Sequence, residues 1–308
     1  MIDKGISDEG KAGQFPGPEA FESLVKDNST CFLCGINRSD SKEHIVPDWI
    51  LKRFDLRSQK ASLPNHQKVR YYGYKVPCCK TCNAAMGLEL EQPISKLFKQ
   101  GYEAVGDHIK TKGPNRLISW LALLYIKKVV NDYRISVDPK YPKNNEPAPT
   151  SIAEVDTLHH VYCLARTFLS KATWEPGSGG SFVMLPVEKL PGKGHFDHGD
   201  LHINKIRGSF LIYDDFCLIS MFNDGGYVVG NLGDSLSKLP EPLTPKQVRE
   251  TFCHFVYTAS RLTNRPQFSC TVSDTGNPII QCNFPKTTEL SDFQASRLAA
   301  IKAHVLSP

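Results

Sequence analysis

Four cysteines stand in two Cys-x-x-Cys pairs, Cys31/Cys34 and Cys79/Cys82, and such pairs can together present four thiolates in a tetrahedral array, the usual donor set of structural Zn²⁺. Cys78 offers a competing Cys-x3-Cys spacing with Cys82, and the matching spacing of the two pairs favours Cys79. Four thiolates leave no coordination position for a substrate water, so this zinc would hold structure and do no chemistry. Iron on the same thiolates, as in rubredoxin, is the chemical alternative. Between the pairs lies Glu43-His44-Ile45-Val46-Pro47, and Asn83 directly follows the second pair. A histidine titrating near neutrality can take a proton from water at working pH. A carboxylate and an amide oxygen suit a hard divalent cation such as Mg²⁺. Phosphodiester hydrolysis needs both functions, together with positive charge over the phosphate.

The composite of paired cysteines, Glu43-His44, Ile45-Val46-Pro47 and Cys79-Lys80-Thr81-Cys82-Asn83 resembles the HNH nucleases of the His-Me, or ββα-metal, finger group. The resemblance spans residues 28–100. It implies a treble-clef zinc finger with a knuckle at the first pair and a helix start at the second. It also implies a metal-dependent endonuclease acting on nucleic acid, with DNA the expected substrate and 5′-phosphate ends the expected products. His44 would be the general base, and Glu43 and Asn83 would hold a catalytic Mg²⁺ or Mn²⁺. Adjacent strand residues point to opposite faces, so Glu43 and His44 would share a site only at a loop or an irregular strand end. Tyr74 stands where many family members carry a middle Asn, and Glu43 stands where Asp is commoner. A treble clef that binds nucleic acid or protein without hydrolysis is the competing reading, with His44 a satisfied buried histidine and Asn83 a helix N-cap.

Between Lys52 and Lys80 eight basic residues face one acidic residue, Asp55. Of these, Lys52, Arg53, Arg57, Lys68, Arg70, Lys75 and Lys80 are candidate phosphate contacts, which would give this module affinity with little sequence specificity. A solvated basic face is the alternative. Tyr71, Tyr72 and Tyr74 lie among these cations and read either as a stacking surface or as strand core.

The elements that must position these groups follow from periodicity and punctuation. Residues 1–27 read as a flexible tail with one helical turn near Glu19 to Lys26. Beyond Asn83, Leu88, Leu90, Ile94, Leu97 and Phe98 mark a helix that Pro93 should kink or break. Residues 115–133 carry the clearest helical spacing. Four prolines between Val137 and Thr150 mark a linker or surface loop. Residues 155–170 suit helix or strand equally. Residues 180–232 read as strands, among them 209–212, 216–222 and 227–229. Thr244-Pro245 should cap a helix running to about Arg261, followed by a strand near Phe268 to Val272 and a helix over 291–305. The fold class is therefore α+β: a zinc module over 28–100, then a mixed domain over 101–308 that recognises, senses, dimerises or binds a partner protein. This larger domain could alternatively be the principal enzyme, with the finger its targeting arm.

A net charge of +5, 40% hydrophobic residues and 22% charged residues describe an ordinary globular chain. No secretory signal or membrane span is apparent, so a cytoplasmic setting with no membrane partner is expected. Five of the ten cysteines fall in the zinc segment and the rest are scattered, which argues for one metal site in a reducing compartment, not a disulfide framework. Gly194-His195-Phe196-Asp197-His198-Gly199-Asp200-Leu201-His202 is rich in ligand types but fits no metal template and reads as a polar loop.

Overall fold

The computed structural model describes residues 15–63, 65–135, 155–170, 172–192, 194–203, 205–274, 276–287 and 289–306. The proline-rich segment 137–150 and the first fourteen residues of the expected tail lie outside the described residues. Residues 18–26, expected as tail with one helical turn, form helix α1 (Pro18–Lys26), with proline at its start and Phe21, Leu24 and Val25 buried. Proline suits a first helical turn because the N–H it lacks would have had no intrahelical partner. Arg134 donates to the backbone oxygens of Leu24 and Val25 at 2.8 and 2.9 Å and also to that of Asp27, so a guanidinium serves the open carbonyls at the end of α1.

The cysteine-rich segment then builds small sheets around short helices. Strand β1 (Ser41–His44) is followed by α2 (Asp48–Arg53), the strands β2 (Lys60–Ser62) and β3 (Lys68–Arg70), a 3₁₀ turn over Tyr71–Gly73, and β4 (Lys75–Cys78). β1 pairs antiparallel with β4, setting Glu43 opposite Val76 and His44 opposite Lys75, and β2 pairs antiparallel with β3. Next, α3 (Lys80–Ala85) passes through a π-helical turn over Met86–Glu91 into α4 (Gln92–Phe98). The expected break at Pro93 is thus absorbed as a widened turn on its N-terminal side: proline offers no N–H to the carbonyl four residues back, and the ladder shifts to longer bonds.

Helices α5 (Tyr102–Lys112), α6 (Asn115–Tyr133) and α7 (Val155–Arg166) follow, settling 155–166 as helix. After the short β5 (Thr173–Trp174) come β6 (Ser181–Pro186), β7 (Phe196–Ile203), β8 (Ile206–Tyr213) and β9 (Phe216–Met221), an antiparallel sheet of order β6-β9-β8-β7. Along β8 and β9, Leu211, Tyr213, Phe216 and Leu218 join one core, whereas Phe210, Ile212, Cys217 and Ile219 join another, so the two-residue side-chain period buries both faces. Of the run 194–202, expected as polar loop, residues 196–202 lie in β7: the register of that strand with β8 over eight residues outweighs its glycine and histidine content.

Residues 227–229, expected as strand, instead start α8 (Tyr227–Leu236). The buried Asp224 carboxylate accepts from the backbone N–H groups of Ser181, Gly226 and Val228, and this local cap overrides the β-preference of Tyr-Val-Val. Helix α9 (Pro245–Ser260) carries the expected Thr244 cap, completed as a capping box by Gln247. Strands β10 (Gln267–Val272) and β11 (Pro278–Asn283) pair antiparallel, β11 runs parallel to β5, and α10 (Ala295–Val305) closes the chain. The fold is mixed α+β, with small N-terminal sheets beside a larger mixed region.

The two regions share a core. Trp49 lies 6.0 Å from Trp120, and Phe98 lies 5.3 Å from Trp120 and 4.9 Å from Phe216, ring centroid to centroid. Each buried ring of this kind contributes about 1.5–3 kcal/mol.

Candidate metal centre and the strand beside it

Cys31, Cys34, Cys79 and Cys82 are all buried, and their sulfurs lie within 4.8 Å of one another. Gly35, with φ of +69°, turns the chain sharply after the first pair. The backbone N–H of Asn37 points at Cys34 Sγ at 3.4 Å, and that of Cys82 points at Cys79 Sγ at 3.4 Å. The Asn37 side chain is a second donor to Cys79 Sγ, at 3.6 Å. Buried thiolates require such donors and a cation, and Zn²⁺ with four sulfur ligands suits this donor set. Cys78 stays outside the quartet; its Sγ lies 3.7 Å from Cys31 Sγ and donates to its neighbour's carbonyl. Among the described residues, no other group of three or more His, Cys, Asp or Glu side chains is close enough to share a metal, and this includes those of 194–202 that are described.

β1 leads from this cluster, and its two faces differ. Glu43 is buried and its Oε1 accepts from Lys127 Nζ at 2.9 Å. Lys127, on α6, is completely buried; its ammonium also reaches Glu91 Oε1 at 3.0 Å and the His44 carbonyl at 3.2 Å. Burial alone would lower the Lys127 pKa, but the charges of Glu43 and Glu91 and their hydrogen bonds outweigh it and raise the value. Burial in turn raises the Glu91 pKa, against the pull of Lys127. Asn83, expected beside Glu43, donates to Ser41 Oγ at 3.3 Å. Ser41 and Glu43 are two apart on β1 and so share a face.

His44 is the last residue of β1, before the bend at Ile45-Val46, but the β1–β4 register runs unbroken through it, so the irregular strand end that would bring Glu43 and His44 into one site is not present. Its side chain leaves the other face, where its ring centroid lies 5.3 Å from that of Tyr72. Burial first, and then the charge of Lys75, lower the His44 pKa, so its imidazole is neutral at neutral pH. Nε2 is shielded and has no hydrogen-bond partner among the described residues, so a proton-accepting role would fall to Nδ1.

The basic residues divide. Lys52 and Arg57 pair with Asp48, Arg53 pairs with Asp214, and Lys80 lies 3.8 Å from Asp40. No carboxylate among the described residues pairs with Lys68, Arg70 or Lys75. Lys75 Nζ lies 4.5 Å and Arg57 Cζ 5.2 Å from the centre of the half-exposed Tyr72 ring. Tyr74 is buried, with its hydroxyl donating to Asp132 at 2.6 Å, and Asp132 pairs with Lys128 at 3.0 Å.

Lys127 and Asp132 were not singled out from sequence, and Glu91, which its place one to two turns beyond Asn83 reads as helix surface, is instead largely buried against the Lys127 ammonium. Lys127 had a legible signal, since it continues the buried helical stripe through Trp120, Leu123 and Leu124. A lysine on such a stripe requires buried carboxylate partners.

As a donor set, Glu43 and Asn83 match a hard cation in type, yet the Glu43 carboxylate already holds a buried ammonium. A divalent cation at that oxygen would sit beside a like charge, so in this arrangement the pair does not form a cation site. No described helix is long and apolar enough to cross a membrane. Searches of family models, curated proteins and solved structures found no match to this chain.

Proposed function

We propose that this chain is an HNH-type phosphodiester hydrolase acting on nucleic acid, with His44 as general base and the four-cysteine zinc as a structural staple. The observation that carries the reading is His44 itself: a neutral imidazole at the end of β1, flanked by Tyr72 and Lys75, on a module stapled at the spacing the resemblance requires. His44 would take the proton of an attacking water as oxygen bonds to phosphorus and the P–O3′ bond breaks. The product is a 5′-phosphate end, and solvent returns a proton to the 3′ oxygen. Lys68 and Arg70, exposed on β3, would meet backbone phosphates, and DNA is the first substrate to try. The resemblance also implies Mg²⁺ or Mn²⁺ to stabilise the leaving oxygen. Because Lys127 occupies the Glu43 carboxylate, cation dependence rests on the resemblance alone.

A second reading has specific support. The engagement of Glu43 by Lys127 and the His44 Nε2, which has no partner among the described residues and so leaves the tautomer unpinned, both suit a zinc module that binds nucleic acid or protein without cleaving. Plasmid, single-stranded DNA and RNA incubated with the full chain in Mg²⁺, in Mn²⁺ and without added divalent cation separate the two. The hydrolase reading expects cleavage that His44→Ala abolishes at retained binding. Binding with equal inertness of wild type and His44→Ala would replace it with the second reading.

A further inference from the structure

The open face of β1 has a composition that the ion pairs elsewhere in the basic segment make unusual. Lys75 sits directly across from His44 in the β1–β4 register, and such cross-strand neighbours project from the same face. The Tyr72 ring, half exposed on the turn that enters β4, has Lys75 and Arg57 both at cation–π distance and His44 beside it. Asp48 engages Nε and Nη2 of Arg57, which fixes the guanidinium without using all its donors. Lys52 shares that carboxylate, so three cations here face one acid. This is positive charge held in place by an aromatic post, next to a neutral base. An anion of phosphate size suits it, because oriented cations stabilise the charge that grows on a phosphoryl group.

We propose that Lys75 and Arg57, gathered on Tyr72, form the seat of the phosphate that is attacked beside His44, and that a nucleic-acid backbone supplies it. The proposal rests on the hydrolase reading for the reaction, though not for the binding. Lys75 and Arg57 touch the phosphate; Tyr72 is a positioning residue acting through them. The positive charge at the reacting group then comes from the face of β1 opposite Glu43.

The test uses the full chain and two readouts. In steady-state cleavage of a DNA oligonucleotide, Lys75→Gln should lower kcat by about 100-fold with KM changed less than about threefold. Lys75→Arg should recover most of kcat. Tyr72→Phe should match wild type, since the ring is kept, whereas Tyr72→Leu should lose kcat as Lys75→Gln does. Lys68→Gln, outside the seat, should raise KM alone. In NMR titrations with thymidylyl-thymidine and with inorganic phosphate, resonances of His44, Tyr72 and Lys75 should shift, more strongly for the dinucleotide, and Lys75→Gln should remove the shifts. Equal response to inorganic phosphate would make the site a free-anion site and overturn the nucleic-acid assignment. Cleavage that survives Lys75→Gln or Tyr72→Leu, or a KM effect alone, overturns the seat and leaves the hydrolase reading standing. An inert wild type whose seat still takes the dinucleotide overturns hydrolysis and leaves the seat.

Discussion

Within four residues β1 separates two electrostatic environments. On one face, Glu43 meets a fully buried ammonium that also binds Glu91 and a backbone carbonyl, so every charge has a partner. On the other face His44 lies among cations held by an aromatic ring, with an exposed tyrosine at the rim. The dry face can hold structure but offers little to a solute; the open face is the reverse. Adjacency in sequence therefore says little about shared chemistry when the backbone is a regular strand, and Glu43-His44 is divided by the sheet itself.

Removing the zinc should erase the difference altogether, because the cluster ties the knuckle before β1 to the start of α3. Purified protein should carry one zinc per chain, and Cys79→Ser should lose both the metal and the cooperative unfolding of the module. Structural zinc of this type contributes on the order of 10 kcal/mol. Metal analysis of Cys78→Ser should still give one zinc, and loss of zinc there would transfer the ligand role to Cys78.

The next largest effect should distinguish the faces. Lys127→Met leaves Glu43 and Glu91 buried without their cation and should destabilise the chain by about 3–5 kcal/mol in chemical denaturation. Lys75→Gln, one residue from the buried Tyr74 but on the open face, should change stability by no more than about 0.5 kcal/mol. Similar losses from both substitutions would mean that the two faces are not different in kind.

A pH effect of similar size supplies the background for both. His160 belongs to neither face, and burial pushes its pKa down from 6.5 to about 3. Its folded pKa lies below the unfolded one, so the unfolded chain takes up the proton first and stability falls as pH drops from 6.5 toward 3. Melting temperatures across that interval should fall less steeply in His160→Gln, and an unchanged slope would assign the pH dependence elsewhere.

The sequence reveals the parts of this protein whose partners are near in the chain. The cysteine quartet is legible because zinc imposes short ligand spacings, and α9 because its capping box spans only Thr244 to Gln247. What is hidden depends on distant pairing. The Lys127–Glu43 contact joins α6 to β1: the helical stripe marks Lys127 as buried, but nothing near it in sequence names its carboxylate partners. β7 looks like a loop until its pairing with β8 is known, and Tyr227-Val228-Val229 looks like a strand until Asp224 caps it. At the candidate site the residue types were legible, but the side of the strand each would serve was not: β1 has a definite period, while which face meets α6 is decided by packing.

The π turn over Met86–Glu91 has a consequence for how this sequence can change in length. A π turn holds one residue more than the α turn it replaces, so it behaves as an insertion the helix has kept. Asn83 reaches Ser41 from before the turn, and Glu91 reaches Lys127 from its end. Excising Gly87, whose surroundings leave ample room, would restore an ordinary helix yet rotate everything after it by about 100° relative to Asn83. The segment is thus a ruler: substitution is tolerated along it more readily than any change in its number of residues.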